Sequence, residues 1–159
     1  MRKIEIKGDN YFGKSVYIRK ACRGVIIDNG NILLSYETKR DIWMLPGGGL
    51  ESGETDEECV IREVEEETGN IFKPSECVLQ INEYYEDTKY ITVYFIGTIT
   101  GKTKIHLTEV EKEEGLEPRW IPINQTLEIF SKHAEIISPE EKRGLYQREY
   151  CALIEIIKP

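Results

Sequence analysis

A glutamate-rich segment that follows a run of glycines constrains this sequence more than any other feature. Residues 55–68 carry valine and isoleucine at the three- and four-residue spacing of an amphipathic helix. Thr55 is a suitable N-cap for that helix, and Gly69 suits the left-handed residue that ends it. The glycines at 47–49 come shortly before. The sequence therefore predicts a loop and a helix in which backbone without Cβ atoms can approach a ligand closely.

Three glutamates of the predicted helix share one face. Glu63, Glu66 and Glu67 stand at positions i, i+3 and i+4, so their carboxylates are neighbours. Like charges at this spacing destabilise an exposed helix, and a hard divalent cation such as Mg²⁺ would offset the repulsion through carboxylate oxygens. A plain solvated face is the alternative. The preceding glycines and the opposite charges of Glu54 and Arg62, which can hold loop to helix, favour the metal-dependent site.

The formal charge of −8 bears on the partners that the chain can bind. Such a balance repels the phosphate backbone of DNA and RNA, so a nucleic-acid polymer is not expected as a partner. A small phosphorylated ligand remains compatible with an acidic protein when divalent cations lie between carboxylates and phosphates.

Length and apolar content predict one domain over residues 1–159. No run of apolar residues is long enough for a membrane span, and the N-terminus does not resemble a signal peptide, so a cytoplasmic protein is expected. The cysteines form no CxxC pair, which argues against a zinc or redox site. They are Cys22, Cys59, Cys77 and Cys151.

Alternating and β-branched runs predict strands joined by two hairpins. The first hairpin turns at residues 28–31, where an Asn-Gly pair suits positive φ, and the second turns at 86–89. The aromatic strands of the second hairpin are expected to pack the sheet. The predicted strands span residues 2–7, 16–27, 32–34, 77–85, 90–99 and 119–121.

The C-terminal third combines a polar stretch with two predicted helices. The acidic residues 109–117 are interpreted as a solvated loop, and a helix is predicted over 124–132. Ser138, Pro139 and Glu141 have the order of a capping box with proline at the first helical position, which predicts a final helix.

The residues between 48 and 70 resemble the Nudix box, the pattern Gx5Ex7REUxEExGU of the Nudix hydrolase family. Asn70 departs from the bulky aliphatic residue usual at the last position, and this departure concerns the packing of the helix end. The segments around Trp43 and Trp120 also look like family context, so the resemblance covers roughly residues 16–125. The matching residues are Gly48, Glu54, Arg62, Glu63, Val64, Glu66, Glu67 and Gly69.

The resemblance implies an α/β/α sandwich with a mixed β-sheet and hydrolysis of a diphosphate bond in a nucleoside diphosphate linked to another group. Mg²⁺, or Mn²⁺ in its place, would be held by Glu63, Glu66 and Glu67, with the carbonyl of Gly48 as a further ligand. Arg62 and Glu54 would orient these glutamates. A metal-bound water of lowered pKa would then attack phosphorus.

The resemblance leaves the general base and the outer ligands open. Glu63 is preferred as the base, while Glu109 and Glu114 are alternatives. Glu114 is also a candidate metal ligand, with loop solvation as the competing interpretation. His106 and His133 have no flanking pattern of a triad or zinc site and are expected to be surface residues.

Substrate identity is the least determined part of the hypothesis. The marker of coenzyme A pyrophosphatases is absent, and Tyr84 and Tyr85 stand about fifteen residues beyond the box, where ADP-ribose enzymes would have a proline. A nucleoside triphosphate or a dinucleoside polyphosphate is favoured. A homodimer is compatible with the sequence, and a catalytically weak nucleotide sensor is the alternative function.

Overall fold

The computed structural model describes residues 1–158 and shows a mixed sheet between two helical layers. The strands are β1 (Arg2–Lys7), β2 (Tyr17–Asp28), β3 (Asn31–Glu37), β4 (Ile42–Met44), β5 (Gly47–Gly49), β6 (Asn70–Tyr85), β7 (Thr88–Lys102) and β8 (Leu116–Pro122). The helices are α1 (Asp56–Thr68), α2 (Glu109–Glu114), α3 (Ile123–Ser131) and α4 (Glu140–Ile157), with a 3-10 turn at Lys132–Glu135.

The strand order is β1-β6-β7-β2-β3-β4, with β5 paired to β2 and β8 paired to β3. The β1–β6 and β2–β7 pairs are parallel and the other pairs are antiparallel. Helix α1 packs on one face of the sheet, whereas α3 and α4 pack on the other. The predicted α/β/α sandwich with a mixed sheet is confirmed.

Helix α1 forms where the sequence predicted it, for the predicted reasons. The hydroxyl of Thr55 accepts from Glu58 N while the Glu58 carboxylate accepts from Thr55 N, which completes a capping box. Gly69 ends the helix with φ 67°. The apolar face buries Val60 and Val64 against the sheet, and Glu67 is buried on the same face.

Two short strands around the glycine run were not predicted. The glycines at 47–49 form β5, which pairs with residues 21–23 of β2. A Cβ on Gly47 would lie 2.1 Å from the carbonyl oxygen of Cys22, so this close approach requires glycine. Glycines have no intrinsic strand preference, and this strand exists because a partner approaches its backbone.

The acidic stretch 109–117 was predicted as a loop, and that prediction was wrong. Its first part is helix α2, which is capped by Thr108 through a capping box with Glu111 and ended by Gly115 at φ 69°. These are the signals that identified α1, but no apolar stripe accompanies them, and no residue of α2 is buried. The second part begins strand β8.

The final helix was predicted correctly and its cap was not. Helix α4 begins at Glu140, with the extended residue Pro139 as N-cap and no side-chain cap hydrogen bond. Ser138 therefore lies one residue too early for its hydroxyl to reach the first turn. Over residues 1–158, the helices are all too short or too polar to cross a membrane.

Candidate active site

Arg62 and Glu54 form the pair that the sequence predicted between loop and helix. Nε of Arg62 donates to Glu54 Oε1 at 2.6 Å and Nη2 donates to Oε2 at 3.1 Å, which is the bidentate geometry of a strong ion pair. The hydrogen bonds from Arg62 lower the pKa of Glu54 to about 2. Nη2 also donates to the carbonyl of Gly49 at 3.2 Å. One guanidinium therefore joins α1 to the loop before it and to the end of β5.

The remaining nitrogen of Arg62 lies between two of the predicted ligands. Nη1 donates to Glu63 Oε1 at 2.8 Å and to Glu66 Oε2 at 3.3 Å. The side chain of Glu66 is 40% exposed, whereas that of Glu63 is 14% exposed. The two carboxylates thus share one cation but differ in their access to solvent.

Glu63 lies directly against the backbone of Gly48. A Cβ on Gly48 would be 2.5 Å from the carboxyl carbon of Glu63, so the glycine leaves the space that this carboxylate occupies. Burial raises the pKa of Glu63, and the charges of Glu66 and Glu111 act in the same direction against Arg62. The contact explains why a glycine is needed at position 48.

Glu67 turns inward, away from the open face expected for it. It is 4% exposed, and its Oε2 accepts from Ser35 Oγ at 2.8 Å and from Gly47 N at 3.2 Å. Burial raises its pKa to about 8, because the loss of water outweighs the attraction of Arg23 and the hydrogen bond from Ser35. Without a cation nearby, burial therefore favours the protonated form of this carboxyl.

These side chains have the chemistry of a site for a hard divalent cation. Carboxylate oxygens of Glu63, Glu66 and Glu67 and the carbonyl of Gly48 are ligands of the kind that Mg²⁺ prefers. The raised pKa values of Glu63 and Glu67 show two desolvated carboxyls whose ionised form a nearby cation would favour. Within residues 1–158, no three histidine, cysteine, aspartate or glutamate side chains lie in positions that could hold a metal ion together. The donors fit the ion, but a bound ion would require them to move together.

Glu114 lies in a second acidic cluster. Its Oε1 accepts from Arg40 Nη1 at 3.0 Å, and Arg40 also pairs with Glu37 at 3.4 Å and with Glu141 at 3.2 Å. Burial and the charge of Glu114 raise the pKa of Glu37 to about 7. No sequence pattern pointed to Glu37, which lies at the end of β3. The other candidate base, Glu109, is exposed and pairs with Lys112.

Three other residues have different surroundings. The backbone N of His106 donates to Glu66 O at 2.8 Å, which fastens the segment before α2 to helix α1. Trp43 stacks on Tyr36 at 3.9 Å between ring centroids, so it packs the strands. Arg23 donates from Nη1 to Leu45 O at 2.6 Å, and its buried Nε has no hydrogen-bond partner.

A cavity of about 870 Å³ opens between α4 and the sheet. Arg23 lines the cavity and pairs with Gly47 between strands β2 and β5. The N–H of Gly47 donates to Glu67, so this strand pair connects the cavity to one of the box glutamates. Tyr85 and Tyr90 form an aromatic wall with centroids 6.3 Å apart. This volume lies within the range of pockets that bind small molecules.

Comparison with known proteins decides the family. A family model described as NUDIX domain matches residues 18–139. The chain belongs to the Nudix family. The resemblance first drawn from the Nudix box is therefore confirmed, and the match extends from β2 to the residue before α4.

Curated relatives of this Nudix protein differ in what their names describe. The chain is 40% identical over 53 residues to an uncharacterised Nudix hydrolase, YvcI, of Bacillus subtilis, covering 33% of this chain and 34% of the relative. It is 29% identical over 105 residues to the mouse diphosphoinositol polyphosphate phosphohydrolase 3-alpha, covering 66% of this chain and 62% of the relative. The chain thus spans about a third to three fifths of these relatives' lengths.

Solved structures show the same fold at greater coverage. A NUDIX hydrolase from Nitrosomonas europaea is 25% identical with a TM-score of 0.60, over 84% of this chain and 88% of that one. A MutT protein from Bacillus halodurans is 25% identical with a TM-score of 0.57, over 69% and 72% of the two chains. The sandwich seen here is therefore the Nudix fold.

Proposed function

We propose that this protein hydrolyses a diphosphate bond in a nucleoside diphosphate linked to another group, with Mg²⁺ as its preferred cation and Mn²⁺ as a substitute. The observation that carries the proposal is the pair of desolvated carboxyls, Glu63 against Gly48 and Glu67 against Gly47, on a helix joined to its loop by Arg62. Desolvated carboxyls with raised pKa values are typical of sites that bind cations or move protons.

Each residue has a separate role in this proposal. Glu63, Glu66 and Glu67, with the carbonyl of Gly48, would hold the cation, and Glu54 would orient Arg62. When bound, the cation would neutralise charge on the diphosphate and lower the pKa of a water. Glu63 would accept the proton of the attacking water, because its carboxylate lies against Gly48, beside the proposed position of the cation.

Glu114 is proposed only as an outer ligand. Its carboxylate pairs with Arg40 and lies beside Glu37. An ion bound there would have to displace the guanidinium or share the carboxylate with it. The ordered set Glu63, Glu66 and Glu67 therefore has the stronger support.

The cavity favours a nucleoside-like group over a polyphosphorylated one. Its lining carries five carboxylates and four cations, of which Arg148 already pairs with Glu83 and Arg143 with Glu140. A densely anionic group such as an inositol polyphosphate would meet net repulsion there. An uncharged ring could contact Tyr85 and Tyr90. We therefore propose that the substrate is a nucleoside triphosphate or a dinucleoside polyphosphate whose nucleoside occupies this cavity.

A screen tests the activity directly. Nucleoside triphosphates, dinucleoside polyphosphates, nucleotide sugars and a diphosphoinositol polyphosphate are incubated with Mg²⁺, and release of phosphate, pyrophosphate or monophosphate is measured. We expect turnover with Mg²⁺ or Mn²⁺, and little with Ca²⁺, whose larger and more flexible coordination would misplace the attacking water. Full turnover in EDTA would contradict the proposal. Tight nucleotide binding without turnover would support the sensor function instead.

Three further properties stay predictions. Residues 1–159 are expected to form one domain, the protein is expected in the cytoplasm, and a homodimer is compatible with the fold. Size-exclusion chromatography with light scattering measures the last of these.

A further inference from the structure

Helix α4 lies outside residues 18–139, which the family model matches. It nevertheless contacts residues 43–45, which lead into strand β5. Strand β4 is at the edge of the sheet, where backbone N–H groups lack a neighbouring strand. Trp43 N donates to Tyr146 Oη at 3.0 Å and Leu45 N donates to Glu149 Oε2 at 2.7 Å. Tyr146 and Glu149 are three residues apart and share one helix face. Two side chains of α4 thus replace the missing strand.

The carboxylate of Glu149 has no freedom to serve another purpose. It is fully buried, and its second oxygen accepts from Tyr94 Oη at 2.9 Å and from Arg148 Nε at 3.2 Å. Both oxygens are therefore used, which fixes the position of the oxygen that accepts from Leu45. A buried carboxylate without these donors would be strongly destabilising.

Leu45 connects this carboxylate to the box. Its carbonyl accepts from Arg23 Nη1 at 2.6 Å, and the carbonyl of Pro46 accepts from Gly24 N at 2.9 Å. The next residue, Gly47, donates its N–H to Glu67 at 3.2 Å. One residue, Pro46, therefore separates the contact with α4 from the contact with a proposed metal ligand.

We propose that Glu149, together with Tyr146, is a positioning residue that sets the placement of Gly47 and Gly48 against Glu67 and Glu63. The proposal rests on the proposed function of these glutamates. It assigns to the C-terminal helix a part in the reaction that the Nudix box does not contain. If Leu45 N lost its acceptor, the chain at 45–48 would shift, and the carboxyl that Gly47 binds would shift with it.

The test compares three variants of the full chain. Glu149→Gln keeps the size of the side chain but has one acceptor oxygen for three donors. Tyr146→Phe removes the acceptor of Trp43 N and the donor to Asp41 O. Tyr150→Phe is the matched control, because it removes a hydroxyl from the same helix on a ring that packs against His133. Measurements are the hydrogen exchange of the Leu45 and Gly47 amides, kcat and KM on the substrate from the screen, and the half-saturating Mg²⁺ concentration.

We expect faster exchange at Leu45 and Gly47 in Glu149→Gln, with kcat lower by about tenfold or more, KM within about threefold and a higher half-saturating Mg²⁺ concentration. Tyr150→Phe should change none of these. Unchanged exchange and kcat in Glu149→Gln, or an equal loss in Tyr150→Phe, would overturn the proposal. If Glu149→Gln does not fold, Tyr146→Phe carries the same test. Absence of wild-type turnover would instead overturn the proposed function, because amide exchange still reports the contact between Glu149 and Leu45.

Discussion

Ser35 on β3 donates its hydroxyl to Glu67 on α1 at 2.8 Å, across a contact from which water is excluded. The N–H of Gly47 reaches the same oxygen at 3.2 Å. A sheet, a helix and the glycine strand therefore meet at one carboxyl. This meeting point is where a change of charge or volume should have the largest effect.

Glu67→Gln should separate catalysis from folding. The amide keeps nearly the same volume and an oxygen for Ser35, but it cannot act as an anionic ligand. We expect kcat to fall at least about a hundredfold, or roughly 3 kcal/mol of transition-state stabilisation. Without metal the variant should be as stable as wild type or slightly more so, and it should gain less stability from Mg²⁺. Near-normal kcat, or a melting temperature well below wild type in EDTA, would contradict the role of Glu67.

Stability of the metal-free protein should depend on pH between about 4.5 and 8. The folded-state pKa of Glu67 is raised from 4.5 to about 8, so the folded state keeps a proton that the unfolded chain loses. The contribution is fully present below about 4.5 and is lost as pH rises to 8, at no more than about 1.4 kcal/mol per pH unit. Urea unfolding in EDTA at several pH values measures it. Glu67→Gln should remove one proton from the slope, and an identical slope in the variant would count against the prediction.

Gly48→Ala should damage the site while its neighbour tolerates the same change. The new Cβ would lie 2.5 Å from the carboxyl carbon of Glu63, so that flexible side chain must move. We expect kcat to fall about tenfold or more and stability to change by less than about 1 kcal/mol. Gly49→Ala is the control, because no atom lies within 4 Å of a Cβ there. Equal activity of the two variants would show that the position of Glu63 against Gly48 is not needed.

Arg62→Lys should show that the guanidinium fork matters more than its charge. Lysine cannot bind both oxygens of Glu54 and also reach Glu63. We expect a loss of about 1–3 kcal/mol in unfolding free energy and a lower kcat. Arg119→Lys at the exposed pair with Glu117 is the matched control and should cost less than about 0.5 kcal/mol. Chemical denaturation and steady-state kinetics compare the two, and similar behaviour would contradict the prediction.

Nucleic-acid polymers should not bind well. With a net charge of −8, duplex DNA or structured RNA is expected to bind no tighter than about millimolar at physiological salt. A mobility-shift assay over a salt series measures this affinity. Micromolar binding that weakens steeply with salt would reveal a local basic surface.

The sequence alone determined the parts of the site that depend on neighbours along the chain. Thr55, Gly69 and the apolar spacing predicted α1, because caps and helix periodicity are local properties. The separation of Glu54 from Arg62 predicted their pairing, which the structure shows with two hydrogen bonds. The same local signals at Thr108 and Gly115 were available for α2 but were not recognised among so many acidic residues.

Only the tertiary structure decided how the three glutamates differ. On an isolated helix Glu63, Glu66 and Glu67 are equivalent neighbours, yet Glu67 is buried against Ser35, Glu63 lies against Gly48, and Glu66 stays open to solvent. Their pKa values depend on burial and on partners that are distant in sequence, which no spacing along the chain encodes. Glu149 shows the same limit, because its contact with Leu45 joins residues 104 positions apart. Sequence places charges along a helix, whereas packing determines which of them lose water.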